Sequence, residues 1–154
     1  MRLSESHTLP VPLDEAWAAL NDVDVLRRAL PGCESLVQIA ADEFVAEVAV
    51  ALGLTTSHLT VYVNRRDVQA PRRCTLHFEA HTERTGGEGD AVLMLVPAGT
   101  GASTLHADIS WSIEGVIGVL GSPLLELAAH EMASQFFQGL RALAVARHAR
   151  ARIS

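Results

Sequence analysis

Between residues 44 and 114 the chain repeatedly alternates apolar and polar side chains with a period of two, and this pattern limits the fold more than any other feature. Phe44, Ala46, Val48, Val50 and Leu52 fall on one face of a first run. Leu59, Val61 and Val63 do so in a second, with His58, Thr60, Tyr62 and Asn64 opposite. Cys74, Leu76, Phe78 and Ala80 alternate with Arg73, Thr75, His77, Glu79 and His81. Leu105, Ala107, Ile109, Trp111 and Ile113 alternate with Thr104, His106, Asp108, Ser110, Ser112 and Glu114. Successive side chains of a strand point to opposite faces, so each run reads as a strand with one dry and one wet side. The more uniformly apolar 88–96 and the shorter 34–39 add two strands. Turns are predicted at 53, 64–67, 70–72, 84–87 and 97–101, a spacing that suits an antiparallel meander.

A dry sheet face needs a cover, and the ends of the sequence supply it. Residues 2–9 read as a strand stopped by Pro10 and Pro12. The segment "LDEAWAAL" carries acidic residues in its first turn, which favours a helix start there. A second short helix, "DVDVLRRAL", begins at Asp22 and ends at Pro31-Gly32. From Pro123 to about Arg150 runs a long helix in which Leu125, Ala129, Met132, Phe136, Leu140 and Leu143 form an apolar stripe. Ser122 is its expected N-cap, with Pro123 in the first helical position. A long helix across a curved antiparallel sheet leaves a gap suited to a ligand. The expected architecture is α+β: one domain over 1–154, about six or seven strands wrapped around a long C-terminal helix, and two short helices after the first strand.

Composition narrows the function. The 154 residues are 49% hydrophobic but only 5% aromatic, so Ala, Val and Leu make the excess. Net charge is −6, which disfavours nucleic acid, because phosphate contacts need clustered cations. Cys33 and Cys74 are too few and too far apart for a disulfide framework. The N-terminus lacks a continuous apolar signal region, and the most apolar stretch, 115–129, is interrupted by Pro123 and Glu126. A cytoplasmic protein without a transmembrane segment is expected. There are no internal repeats or low-complexity tracts.

Several short motifs, in order, carry a resemblance. They are "AWAALND" at 16–22, "LPGCESL" at 30–36, "GGEGDAVLML" at 86–95, "IEGVIGVLGSPLL" at 113–125 and "QFF" at 135–137. Together they resemble the G-subunit family of carbon monoxide dehydrogenase, within the START-like, or helix-grip, superfamily (SRPBCC). The similarity spans the chain. It implies an accessory protein of a molybdenum-containing dehydrogenase, with peripheral contact at the inner membrane face and a cavity suited to a lipophilic ligand such as a quinone. No covalently bound cofactor is implied. The wider superfamily includes lipid carriers and polyketide cyclases, and fold alone does not choose among them.

The candidate ligand-binding set is Phe78, Trp111, Ile113, Val116, Leu120, Leu125, Ala129, Met132 and Phe136. Phe78, Trp111, Met132 and Phe136 would wall a pocket, where stacking on a flat ring adds about 0.5–1.5 kcal/mol to burial. The glycines of "GVIGVLG" at 115–121 would form a gate. No catalytic residue is assigned. A cyclase- or hydratase-type enzyme would have to use Asp22, His130 or Glu131, and Glu131 is expected at the stripe's edge, reaching water. A third reading is a ligand-free docking or assembly factor. Cys33 lacks a nearby base or a second ligand at metal spacing, so it is expected to lock a turn. His58, His77, His81 and His106 fall on wet faces and are expected to be solvated, without a metal.

Overall fold

The computed structural model describes residues 1–52, 54–82, 85–115 and 122–153, without the side chains at 52, 55, 85, 114, 115, 122–126 and 153. Strand β1 (Arg2–Leu9) leads into helices α1 (Leu13–Leu20) and α2 (Val23–Ala29). Strands β2 (Cys33–Ala40), β3 (Glu43–Leu52), β4 (Thr55–Gln69), β5 (Arg73–His81), β6 (Thr85–Pro97) and β7 (Ser103–Gly115) follow. Helix α3 (Ser122–Ile153) closes the order. Among the described residues the strands form one seven-stranded antiparallel sheet, ordered β1-β7-β6-β5-β4-β3-β2. The expected elements are all present, in the expected order.

Two expected turns are instead strand. β4 continues through 64–67, where Asn64, Arg65 and Arg66 pair with His77, Leu76 and Thr75 of β5. The local irregularity that suggested a turn is a register shift between Arg66 and Gln69, with Asp67 at φ 51°. A bulge of this kind bends a strand without ending it. β6 likewise runs through 85–87, its Gly86 and Gly87 paired with Glu114 and Ile113 of β7. Glycines there signal close backbone approach rather than a loop.

The cover over the dry face is anchored at one end. Phe137, Leu140 and Ala144 of α3 are buried with Leu9, Val11, Ala16, Leu20, Val25, Cys74, Leu95 and Leu105 in the main core. Gly139 lies against α2, where an added Cβ would stand 3.1 Å from Ala29 Cα and 3.4 Å from its Cβ. The missing side chain lets the two helices close up. Polar ties flank this contact. Asp22 Oδ1 caps α2 by accepting from the backbone N–H of Asp24 at 2.9 Å, and Oδ2 accepts from Arg147. His148 Nδ1 lies 2.6 Å from Glu15 Oε2 on α1.

The Pro31-Gly32 turn seats the second helix on the sheet. Gly32 has φ +76°, and a Cβ there would run into the carbonyl oxygen of Ala49. Its own carbonyl accepts from Ala49 N–H at 2.8 Å. Glycine is thus needed twice over, for conformation and for space.

Replacing Gly139 with Leu should lower stability by about 1–3 kcal/mol through overpacking against Ala29. Gly139→Ala should stay within about 1 kcal/mol of the parent, since its helix propensity gain offsets the tight contact. Urea unfolding of both variants checks this.

Candidate functional site

Burial falls steadily along the dry face. At one end Cys74, Leu95 and Leu105 are at most 1% exposed. Moving along β5, Leu76, Phe78 and Ala80 are only partly buried. Along β7, Ile109, Trp111 and Ile113 follow the same trend. The helix mirrors it. Leu140 is fully covered, whereas Phe136, Ala133, Met132, Ala129 and Ala128 are partly exposed. The first half of α3 therefore lies over the sheet with apolar side chains of both left partly exposed, and the apolar seam between them is the candidate cleft.

Two packed groups border this cleft. Phe78, Phe136, Ile109 and Ala133 pack against the main core. Ile113, Met132, Ala128, Leu59 and Val61 pack against a smaller cluster of Ala46, Val48 and Val50 on β3. Trp111 stands on β7 between Ile109 and Ile113, sharing their face. Phe78, Trp111, Ile113, Ala129, Met132 and Phe136 of the expected set are thus placed along the same seam. The side chain of Leu125 and the whole of Val116 and Leu120 lie outside the described residues. So do residues 116–121 of the expected gate and the side chains of Ser122 and Pro123.

The floor of the cleft is set by a glycine that sequence reasoning passed over. Gly89 on β6 stands directly between Phe78 of β5 and Trp111 of β7. A Cβ there would come within 2.7 Å of Phe78 Cζ and 2.8 Å of Trp111 Cβ, and would run into the Ser110 carbonyl oxygen. The absent side chain is the space into which the tip of the Phe78 ring fits. Alternation in "GGEGD" placed Gly87 and Gly89 on the dry face in principle, but only the register shows which aromatics they face. Leu59, Val61 and Ala128 were also outside the expected set.

Candidate acid–base groups do not converge on the cleft. Asp22 is engaged by the α2 cap and Arg147. His130 and Glu131 are exposed. Burial pushes the thiols of Cys33 and Cys74 above their ordinary pKa. For Cys33 a backbone hydrogen bond from Ser35 and the Arg27 charge only partly oppose this, and the thiol itself donates to the Ser35 carbonyl oxygen at 3.3 Å. Cys33 packs beside Leu30 and Leu36 on the β3 cluster, so it belongs to the turn's packing and is a poor nucleophile. Depressions of about 500 and 380 Å³ lie on the wet face, around Ser6, Arg73 and His106 and around His77, Asp90 and Ser112. The second is also lined by Gly89 and Trp111.

The model of one protein family, the G subunit of carbon monoxide dehydrogenase (CoxG), matches residues 6–145. The chain belongs to that family. No curated protein matches it. A conserved protein from Geobacillus kaustophilus is similar over 94% of this chain and 95% of its own, with a TM-score of 0.88 at 20% identity. A START superfamily protein from Mycobacterium smegmatis covers 93% of this chain and 96% of its own, with a TM-score of 0.73 at 10% identity. The Zhui aromatase/cyclase from Streptomyces sp. R1128 covers 96% and 94%, with a TM-score of 0.70 at 14% identity. At such identities these likenesses establish the START-like fold alone. Among the described residues no helix is long and apolar enough to cross a membrane.

Two outcomes follow. Gly89→Ala should destabilise the fold by about 1–3 kcal/mol and change the near-ultraviolet circular dichroism of Trp111, since a backbone carbonyl cannot yield as a side chain can. Cys33 should react with iodoacetamide at pH 7.5 more slowly than free cysteine, and Cys74 only on unfolding. Mass spectrometry of the alkylated protein reads both.

Proposed function

We propose that this protein is a non-catalytic accessory protein that holds a lipophilic small molecule, of the quinone class, in the cleft beneath the first half of α3. The supporting observation is the burial gradient: apolar side chains on sheet and helix face one another there and remain partly open to solvent. A protein with no use for that surface would gain by closing it, since burial is worth roughly 25 cal/mol per Å² of apolar surface. The wall residues named above are uncharged, which suits a neutral, ring-bearing molecule. Phe78 and Trp111, set side by side over Gly89, offer flat surfaces for stacking, and Met132 adapts in shape.

Family membership supports the second half of the reading. The family's name ties it to carbon monoxide dehydrogenase, and on that ground the protein serves a molybdenum-containing dehydrogenase of this type. It contributes no redox centre; it keeps the ligand dry and passes it to the enzyme or to the membrane. It works in the cytoplasm, with peripheral contact at the inner membrane face. The exposure of Glu131 and His130 and the engagement of Asp22 weigh against a cyclase-type reaction in the same cleft.

Solvent extraction and mass spectrometry of natively purified protein should recover a lipophilic compound in near-stoichiometric amount. Trp111→Ala should weaken binding of an added quinone more than tenfold while the circular dichroism spectrum stays native. Unchanged affinity in a folded variant would remove Trp111 from the site. Failure of the parent protein to bind any quinone would overturn the reading.

A further inference from the structure

On the wet face of the sheet, β5 and β6 bring together side chains that bind metals well. His77 and Glu79 are two residues apart on β5 and point the same way. Asp90 and Glu88 stand directly opposite them on β6. One ligand atom each from His77, Glu79 and Glu88 lie within 4.8 Å of one another. Exposed carboxylates often gather without a metal, so it is the imidazole that gives this group its meaning. His77 Nδ1 is 3.0 Å from Asp90 Oδ1, and the ring is only 20% exposed. With Nδ1–H donating to Asp90, Nε2 carries the lone pair, and it lies 3.7 Å from Glu79 Oε1. A carboxylate on the far nitrogen is the usual means of fixing tautomer and aim in a metal-binding histidine.

Electrostatics point the same way. Glu79 and Glu88 are directly opposite across the two strands, an arrangement that is unfavourable for like charges. Glu79 has His77 and His81 near it, at 3.7 and 4.0 Å. Among the described residues Glu88 has no ion-pair partner. A dication between the two carboxylates turns this repulsion into attraction. Tetrahedral zinc, with bonds near 2.0–2.2 Å, holds its ligands about 3.3 Å apart, and the exposed side chains of Glu79 and Glu88 can rotate to close the remaining distance. The depression of about 380 Å³ beside His77, Glu88 and Asp90, reaching Ser110 and Ser112, leaves room for further ligands.

We propose that His77, Glu79 and Glu88 form a binding site for a divalent transition metal of the zinc class, with Asp90 holding the imidazole in position. The site replaces, at His77, the expectation that wet-face histidines are merely solvated. It lies on the opposite face of the sheet from the apolar cleft and stands independently of the ligand proposed there. Its open positions take water or a donor from a partner surface.

The test uses the intact chain, stripped with a chelator and titrated with zinc chloride by calorimetry. One ion should bind per chain, with the His77 imidazole resonances moving in NMR spectra while those of His58 stay still. His77→Ala and Glu88→Gln should each weaken binding at least tenfold. Asp90→Asn should weaken it about tenfold, as removal of an orienting carboxylate does, and His58→Ala should leave it unchanged. Circular dichroism of the metal-free variants verifies that each is folded. The absence of saturable binding below millimolar zinc would overturn the proposal. So would binding that survives all three cluster substitutions.

Discussion

The docking of the second half of α3 onto the two short helices is the constraint on which the remaining architecture rests. Gly139 against Ala29 lets the helices approach, and Phe137, Leu140 and Ala144 fill the core beneath. The partly exposed Arg147–Asp22 pair adds little energy on its own. Its value is geometric, because Asp22 also starts α2, so one carboxylate fixes the position of both helices. Toward Trp111 and Met132 the apolar side chains of helix and sheet are less completely buried, and that seam is where a ligand is proposed.

Much of this was legible in the sequence. Period-two alternation reported the strands and their dry faces, because one side of an antiparallel sheet must be buried while the other meets water. Helix ends were marked by Asp22 and by Pro31-Gly32. The turn expected at 64–67 and the described part, 85–87, of that expected at 84–87 are strand for one physical reason. Local signals such as "NRRD" and "TGGEG" describe what a backbone tolerates, while pairing with β5 and β7 decides what it does. Asp67 takes a left-handed conformation inside a strand, an outcome that propensity alone cannot foresee.

The candidate site was legible in part for a related reason. Phe78, Trp111 and Ile113 could be read as dry-face residues, and Met132 as part of the helical stripe. What alternation cannot give is register, and register is what sets Gly89 between Phe78 and Trp111. Nor does a 3.6-residue period distinguish Phe136 from its neighbour. The structure buries Phe137, stacked on His7 with ring centroids 4.2 Å apart, and leaves Phe136 on the flank of the cleft. The same blindness to register hid the wet-face group, since Glu88 and His77 become neighbours only through the β5–β6 pairing.

Strand β1 occupies one edge of the sheet, and its pairing is with β7, about a hundred residues further along the chain. All other neighbouring strands are consecutive in sequence and can zip as hairpins. At roughly 5–20 residues per second of synthesis, β1 waits on the order of 5–20 s before its partner exists. Its sequence, "RLSESHTL", is suited to that delay: hydroxyl and charged side chains interrupt the apolar ones, so the orphan segment is a poor template for aggregation. The last strand to emerge is therefore the one that recruits the first, and the nascent chain has to remain soluble until the ribosome reaches it.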